Sequence, residues 1–227
     1  MKRKIFTASC LAFSMMTGAA FAVTLIDNST TGLYNDDIGT VLDGSNPFGG
    51  SFLFPGADLS DGDPLLDIGP GDEPDLSLAA ASLGDWLTTP ATPGGTWSAG
   101  PVGIPFSWEV NTETAIIYEI DGGAGGLSNV TADFGVDNGV FVWLNGEFLG
   151  GQLRPGTAIP GEFSLDLGDL ASGSNFLQIL REDHGGGTGW TISVTGDVSA
   201  VPLPAGGFLL IGAMGGFAAL RRRKARS

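Results

Sequence analysis

The chain has almost no thiol and almost no imidazole. Its one cysteine, Cys10, lies near the amino terminus, and its one histidine is His184. Clusters of His and Cys around a metal, and cysteine nucleophiles in the body, are thereby excluded. A Ser-His-Asp triad has to recruit His184, which stands beside Asp183 among glycines with no G-x-S-x-G elbow to present a serine. Cations are equally scarce in the middle of the chain. Eight of the ten basic residues are terminal, at Lys2, Arg3 and Lys4 and at Arg221, Arg222, Arg223, Lys224 and Arg226. Residues 23–200 keep only Arg154 and Arg181 against all 25 carboxylates, a net charge of −23. Such a body repels nucleic acid and anionic lipid, and stays soluble in salt. The glycines of GGAGGLS, residues 122–128, have neither a lysine nor a following helix pattern, which rejects a phosphate loop. With 25 carboxylates present, no pair of acids singles itself out for glycoside hydrolysis. The residues point to a protein that is not an enzyme.

Glycine and proline, by contrast, are abundant: 38 and 13 of 227 residues. Short strands joined by turns fit that composition, and the class expected is all-β. At this length there is room for one sizeable core.

Both extremities depart from the acidic body. MKRKIFTASCLAFSMMTGAAFA has a basic start, an apolar run and a small-residue exit at Ala20 and Ala22. That is the order of a secretory signal peptide spanning 1–22, read by the secretory translocase and cut by signal peptidase after Ala22. At the other end, residues 205–220 are 16 uncharged residues, about 24 Å as a helix at roughly 1.5 Å per residue, a marginal single transmembrane helix. The basic cluster Arg221, Arg222, Arg223 and Lys224 holds its far side in the cytoplasm and leaves the acidic body outside.

Val201, Pro202, Leu203, Pro204 and Ala205, the Gly-rich apolar stretch and the terminal arginines together resemble the PEP-CTERM class of sorting signals in its VPLPA-CTERM form, over residues 200–227. The resemblance implies an exosortase-type membrane protease or transpeptidase as partner. It also implies an inner-membrane-anchored precursor and a final place at the cell surface or in the extracellular matrix of a Gram-negative bacterium. Family members are commonly linked with extracellular polysaccharide and biofilm.

Residues 23–199 form the expected ectodomain. DLSDGDPLLDIGPGDEPDLS concentrates carboxylates, and Asp58, Asp61 and Asp63 are either part of a solvated acidic loop or ligands to calcium, the one cofactor suited to them. The spacing is not that of an EF-hand loop. LSLAAASLGDWL, residues 76–87, fits two or three helical turns or an irregular strand, and 90–106 is a loop by its prolines and glycines. TAIIYEI alternates as a strand, and Val140–Leu144, the turn Asn145-Gly146 and Glu147–Leu149 predict a hairpin. NFLQILRED and WTISVTG supply two more strands.

This order, with Asp137 and Asn138 at a turn and with Asn145, Gly146 and Asn175 on recurring positions, resembles galactose-binding-like jelly-roll β-sandwich domains over residues 105–198. The resemblance implies sugar contacts on loops at one end of the sandwich. Five tryptophans offer flat apolar faces for a sugar ring, although Trp143 on its strand and most of the others are expected in the core. The polar constellation expected to be exposed, and hence to touch a ligand, is Arg181, Glu182, Asp183 and His184 with Trp190 after it. Three classes remain: a matrix protein associated with polysaccharide, a structural protein with no ligand, and a polysaccharide hydrolase.

Overall fold

The computed structural model describes residues 21–42, 53, 65–154, 156–183 and 186–198. The described chain is mostly β. Its strands are β1 (Ala22–Ile26), β2 (Thr31–Gly39), β3 (Leu66–Ile68), β4 (Val102–Gly103), β5 (Glu113–Asp121), β6 (Leu127–Leu144), β7 (Glu147–Arg154), β8 (Phe163–Leu170), β9 (Ser174–Glu182) and β10 (Gly189–Val198). Among the described residues, helix is confined to a 3-10 turn at Ser77–Ala79 running into α1 (Ala80–Leu83).

Every pairing is antiparallel, and the strands make one curled sheet in the order β1-β10-β6-β9-β5-β2-β4, with β8 and β7 also on β6 and β3 on β7. The curl comes from the length of β6. Its first part, through Asp137, pairs with β10 and β8; from Asn138 onward it pairs with β7 and β9. One strand thus belongs to two wings, and the wings fold over each other like the layers of a sandwich.

Residue alternation along β6 builds the core between the wings. Val130, Ala132, Phe134, Val136, Val140 and Val142 all face it, together with Ile116, Tyr118 and Ile120 of β5, Leu177 and Ile179 of β9, and Trp190, Ile192 and Val194 of β10. The opposite face of the second wing carries another core. Ala115, Ile117, Phe141, Trp143, Phe148 and Leu180 pack there against Leu83 of α1 and Trp86 in the turn after it. Burial on both faces explains why AIIYEI and VFVWL are nearly continuous apolar runs. Each fully buried aliphatic side chain in these cores contributes roughly 1.5–3 kcal/mol.

The predicted hairpin is present. Leu144 pairs with Glu147 across Asn145 (φ 53°) and Gly146 (φ 83°), so both central residues have positive φ. A Cβ on Gly146 would lie 2.4 Å from the Leu87 carbonyl oxygen, so only glycine lets the helical cover settle on the turn. Gly146 N–H donates to Gln178 Oε1 at 2.8 Å, and Gln178 Nε2 donates to the Trp86 carbonyl at 2.8 Å, which ties the cover to β9.

One expectation changes. Asp137 and Asn138 are not at a turn; they lie inside β6, paired with Gly189 and Arg154, because β6 exchanges partners there without reversing. Of the two forms open to residues 76–87, the helical one is present, as two turns over 77–83 closed by Gly84 at φ 60°. The edge strand β8 and the first half of β6 are further strands that no clear residue pattern marks.

Candidate functional site

The end of β9 and the start of β10 meet the segment 104–112 and the loop 156–162 at one end of the fold. Arg181 is at its centre. Expected in an exposed loop, Arg181 instead lies on β9 between Thr114 and Val140 of its neighbours, and its side chain is fully buried. Its Nε donates to Thr114 Oγ1 at 2.9 Å, its Nη1 to the Pro105 carbonyl at 3.0 Å and its Nη2 to the Tyr34 hydroxyl at 3.3 Å. The guanidinium carbon stands 4.2 Å from the Trp108 ring centroid, 5.3 Å from that of Trp190 and 5.5 Å from that of Tyr34. Three aromatic faces and three neutral oxygens therefore surround one cation.

Burial shifts each titrating member of this box toward its neutral form. It draws the Arg181 guanidinium down to about 10, an effect partly offset by Tyr34 and Tyr118. It pushes the Tyr118 phenol up to about 12 and raises that of Tyr34. Arg181 stays charged at neutral pH and works as a clamp: it holds the 104–112 segment through the Pro105 carbonyl and the Trp108 ring.

The clamp is continued by backbone contacts. Trp108 N–H donates to Thr188 Oγ1 at 2.9 Å, and the Thr188 hydroxyl donates to the Trp108 carbonyl at 2.9 Å. Trp108 Nε1–H donates to the Thr112 carbonyl at 2.8 Å. Asn111, at φ 59°, donates its backbone N–H to Asp183 Oδ2 at 2.6 Å. Asp183 and Glu182 are buried, and Glu182 is the last residue of β9 rather than part of a surface loop. Trp190 is buried against Phe134. The structure thus gathers Arg181 and Trp190 into one interior box, with Asp183 beside it. His184 lies outside the described residues. Tyr34, Thr114 and Trp108, which complete the box, have no local sequence signal, because they reach it from strands and loops distant in the chain.

Above this interior, the same end exposes apolar side chains. Phe106 and Ile159 are 56% and 61% exposed, and Val110 is exposed beside them in sequence to Trp108. A Cβ placed on Gly189 would lie 3.0 Å from Ala158 Cβ and 3.6 Å from Phe106 Cζ, so the loops carrying Phe106 and Ile159 converge over a glycine that makes room for them.

A concavity of about 400 Å³ opens over the helical cover and is lined by Glu73, Asp75, Ser77, Asp85, Trp86 and Thr88 among others. Trp86 is 3% exposed there and stacks on Trp97 at 5.9 Å, and it meets Trp143 edge-on at 5.3 Å. Glu73 Oε1 accepts the Trp143 indole N–H at 2.7 Å. Asp75 and Asp85 are held below the usual carboxylate range by hydrogen bonds from Ser77 and Gly94 respectively.

Asp58, Asp61 and Asp63, the sorting motif Val201–Ala205, the cluster Arg221–Lys224 and Ala20 lie outside the described residues. Ala22, expected as the last leader residue, is the first residue of β1. No group of three or more metal-ligating side chains and no helix long and apolar enough to cross a membrane occurs among the described residues. No protein-family model matches the chain, and no curated protein matches it.

Proposed function

We propose that this chain is an exported, exosortase-sorted protein of the cell surface or extracellular matrix of a Gram-negative bacterium, associated there with polysaccharide and without catalytic activity. The observation that carries this reading is the ordered tail: the VPLPA motif at 201–205, an apolar stretch, then Arg221–Lys224, placed opposite an amino-terminal leader. The body is read as a jelly-roll sandwich of the galactose-binding kind, which accords with a curled antiparallel sheet enclosing a core between two wings. Its sugar contacts are placed on the loops around Phe106 and Ile159, where apolar surface is exposed at one end of the sheet. Replacing Pro202 and Pro204 with alanine is expected to leave unprocessed precursor in the inner membrane. Normal processing of that variant removes the sorting reading.

One observation favours a purely structural matrix role instead. None of the five tryptophans is exposed: Trp86, Trp143 and Trp190 are buried, and Trp97 and Trp108 are half-buried with their indole N–H groups already bonded. A glycan array probed with the processed body, with and without calcium, decides between the two. Saturable binding supports polysaccharide association, and silence in both conditions supports the structural role.

A further inference from the structure

The first and last strands of the body are neighbours. Ala22 pairs with Asp197, Val23 with Gly196 and Thr24 with Thr195, and Val198 donates its N–H to the Phe21 carbonyl at 3.3 Å. Ile26 is 1% exposed and plugs β1 into the core between the wings. Just beyond it, Asn28 Oδ1 accepts the Ile192 N–H at 2.8 Å, so the joint between β1 and β10 extends past the strand itself. The peptide bond between Ala22 and Val23, which the leader pattern marks for cleavage, therefore lies within a paired ladder in the finished fold.

A peptidase needs its substrate extended and withdrawn from other pairing for several residues on both sides of the bond it cuts, and cleavage of a folded chain waits on local opening. Opening this site means lifting β1 off β10 and pulling Ile26 out of the core. Chain order supplies the alternative. β10 is the last of the described strands to be made, so β1 lacks this partner while the rest of the body emerges, on the order of ten seconds at about 5–20 residues per second.

We propose, resting on the leader reading, that docking of β1 onto β10 closes the Ala22–Val23 bond, so that the fold itself sets the order of events: leader removal first, completion of the sheet second. The same ladder brings the two ends of the described body together. β10 ends at Val198, three positions before Val201 in the sequence. The new amino terminus at Val23 and the end of the body at Val198 are thus on adjacent strands, and the exposed Phe21 leaves with the leader.

The test uses full-length precursor from cell-free synthesis without membranes. It is offered to signal peptidase in detergent micelles, either after folding or at once on dilution from urea, and the 22–23 cut is quantified by mass spectrometry. The folded chain is expected to be cut at least about ten-fold more slowly than the unfolded one. Two variants, Thr24→Pro in the ladder and Ile26→Ala in the core, are expected to recover fast cutting while circular dichroism shows the rest of the sheet formed. Equal rates for folded and unfolded wild-type chain overturn the ordering and leave the leader reading standing. Failure to cut even the unfolded chain at 22–23 overturns the leader reading itself.

Discussion

The Arg181 guanidinium carbon lies 4.2 Å from the centre of the Trp108 ring, and the same arginine donates to the Pro105 carbonyl three residues before that ring. A single buried cation thus fastens the segment 104–112 to β9. Three of the acceptors around it are neutral oxygens, and aromatic faces stand over the guanidinium as well.

Arg181→Lys is expected to destabilise the body by about 2–3 kcal/mol, because a compact ammonium cannot reach Thr114, the Pro105 carbonyl and Tyr34 together or stack flat on Trp108. Trp108→Leu removes the stacked face and is expected to cost about 2 kcal/mol. Urea unfolding midpoints measure both. A loss under about 0.5 kcal/mol for Arg181→Lys, the range of ordinary surface changes, contradicts the clamp.

The chain has two tyrosines, and both line this box with phenols raised by burial. In the unfolded chain each ionises near its ordinary value of 10.0. Because the folded values are higher, the stabilisation linked to the phenols is complete below the ordinary value and is lost as pH rises toward about 12, where Tyr118 titrates in the fold. Phenolate absorbance of the folded protein is expected to appear well above the pH at which it appears in urea. Coincident titration curves show the box to be open to water.

Gly146→Ala forces a side chain into a residue at φ 83° and against the Leu87 carbonyl. The expected loss is about 2–4 kcal/mol, from left-handed strain plus overpacking, and the thermal unfolding temperature reports it. An unchanged midpoint means the helical cover does not seat on the hairpin as described.

Phe106→Ala removes an exposed side chain and is expected to leave stability within about 0.5 kcal/mol. If the loop end holds polysaccharide, retention on a glycan column falls at the same time. Full retention in this variant and in Ile159→Ala moves any sugar contact elsewhere.

Much of the β-structure was legible because local chemistry specified it. Asn145-Gly146 demands positive φ at two successive residues, and the runs through Ile116–Ile120, Leu177–Leu180 and Ile192–Val194 carry strong apolar patterning. The first half of β6 and the edge strand β8 were not legible, since Thr131, Asp133, Ser164 and Asp166 interrupt them with polar residues suited to an outer face. The burial of Arg181 is hidden from the sequence for a related reason. A charged residue beside Glu182 and Asp183 reads as surface unless its partners are known, and those partners, Tyr34, Pro105, Trp108 and Thr114, are between 67 and 147 residues away in the chain. Burial of charge is decided by tertiary neighbours that no local window contains.

The account as a whole rests on removal of both chain ends during export. Its most direct test is the intact mass and terminal sequence of the protein recovered from the envelope and culture medium of its own cells. Residues 23–200 contain no lysine, so amine labelling should find a single reactive group per mature chain, the α-amino group of Val23. The account predicts a chain starting at Val23 and ending at or beside Val201–Ala205. A full-length chain of 227 residues, recovered unprocessed from the cytosol, contradicts it.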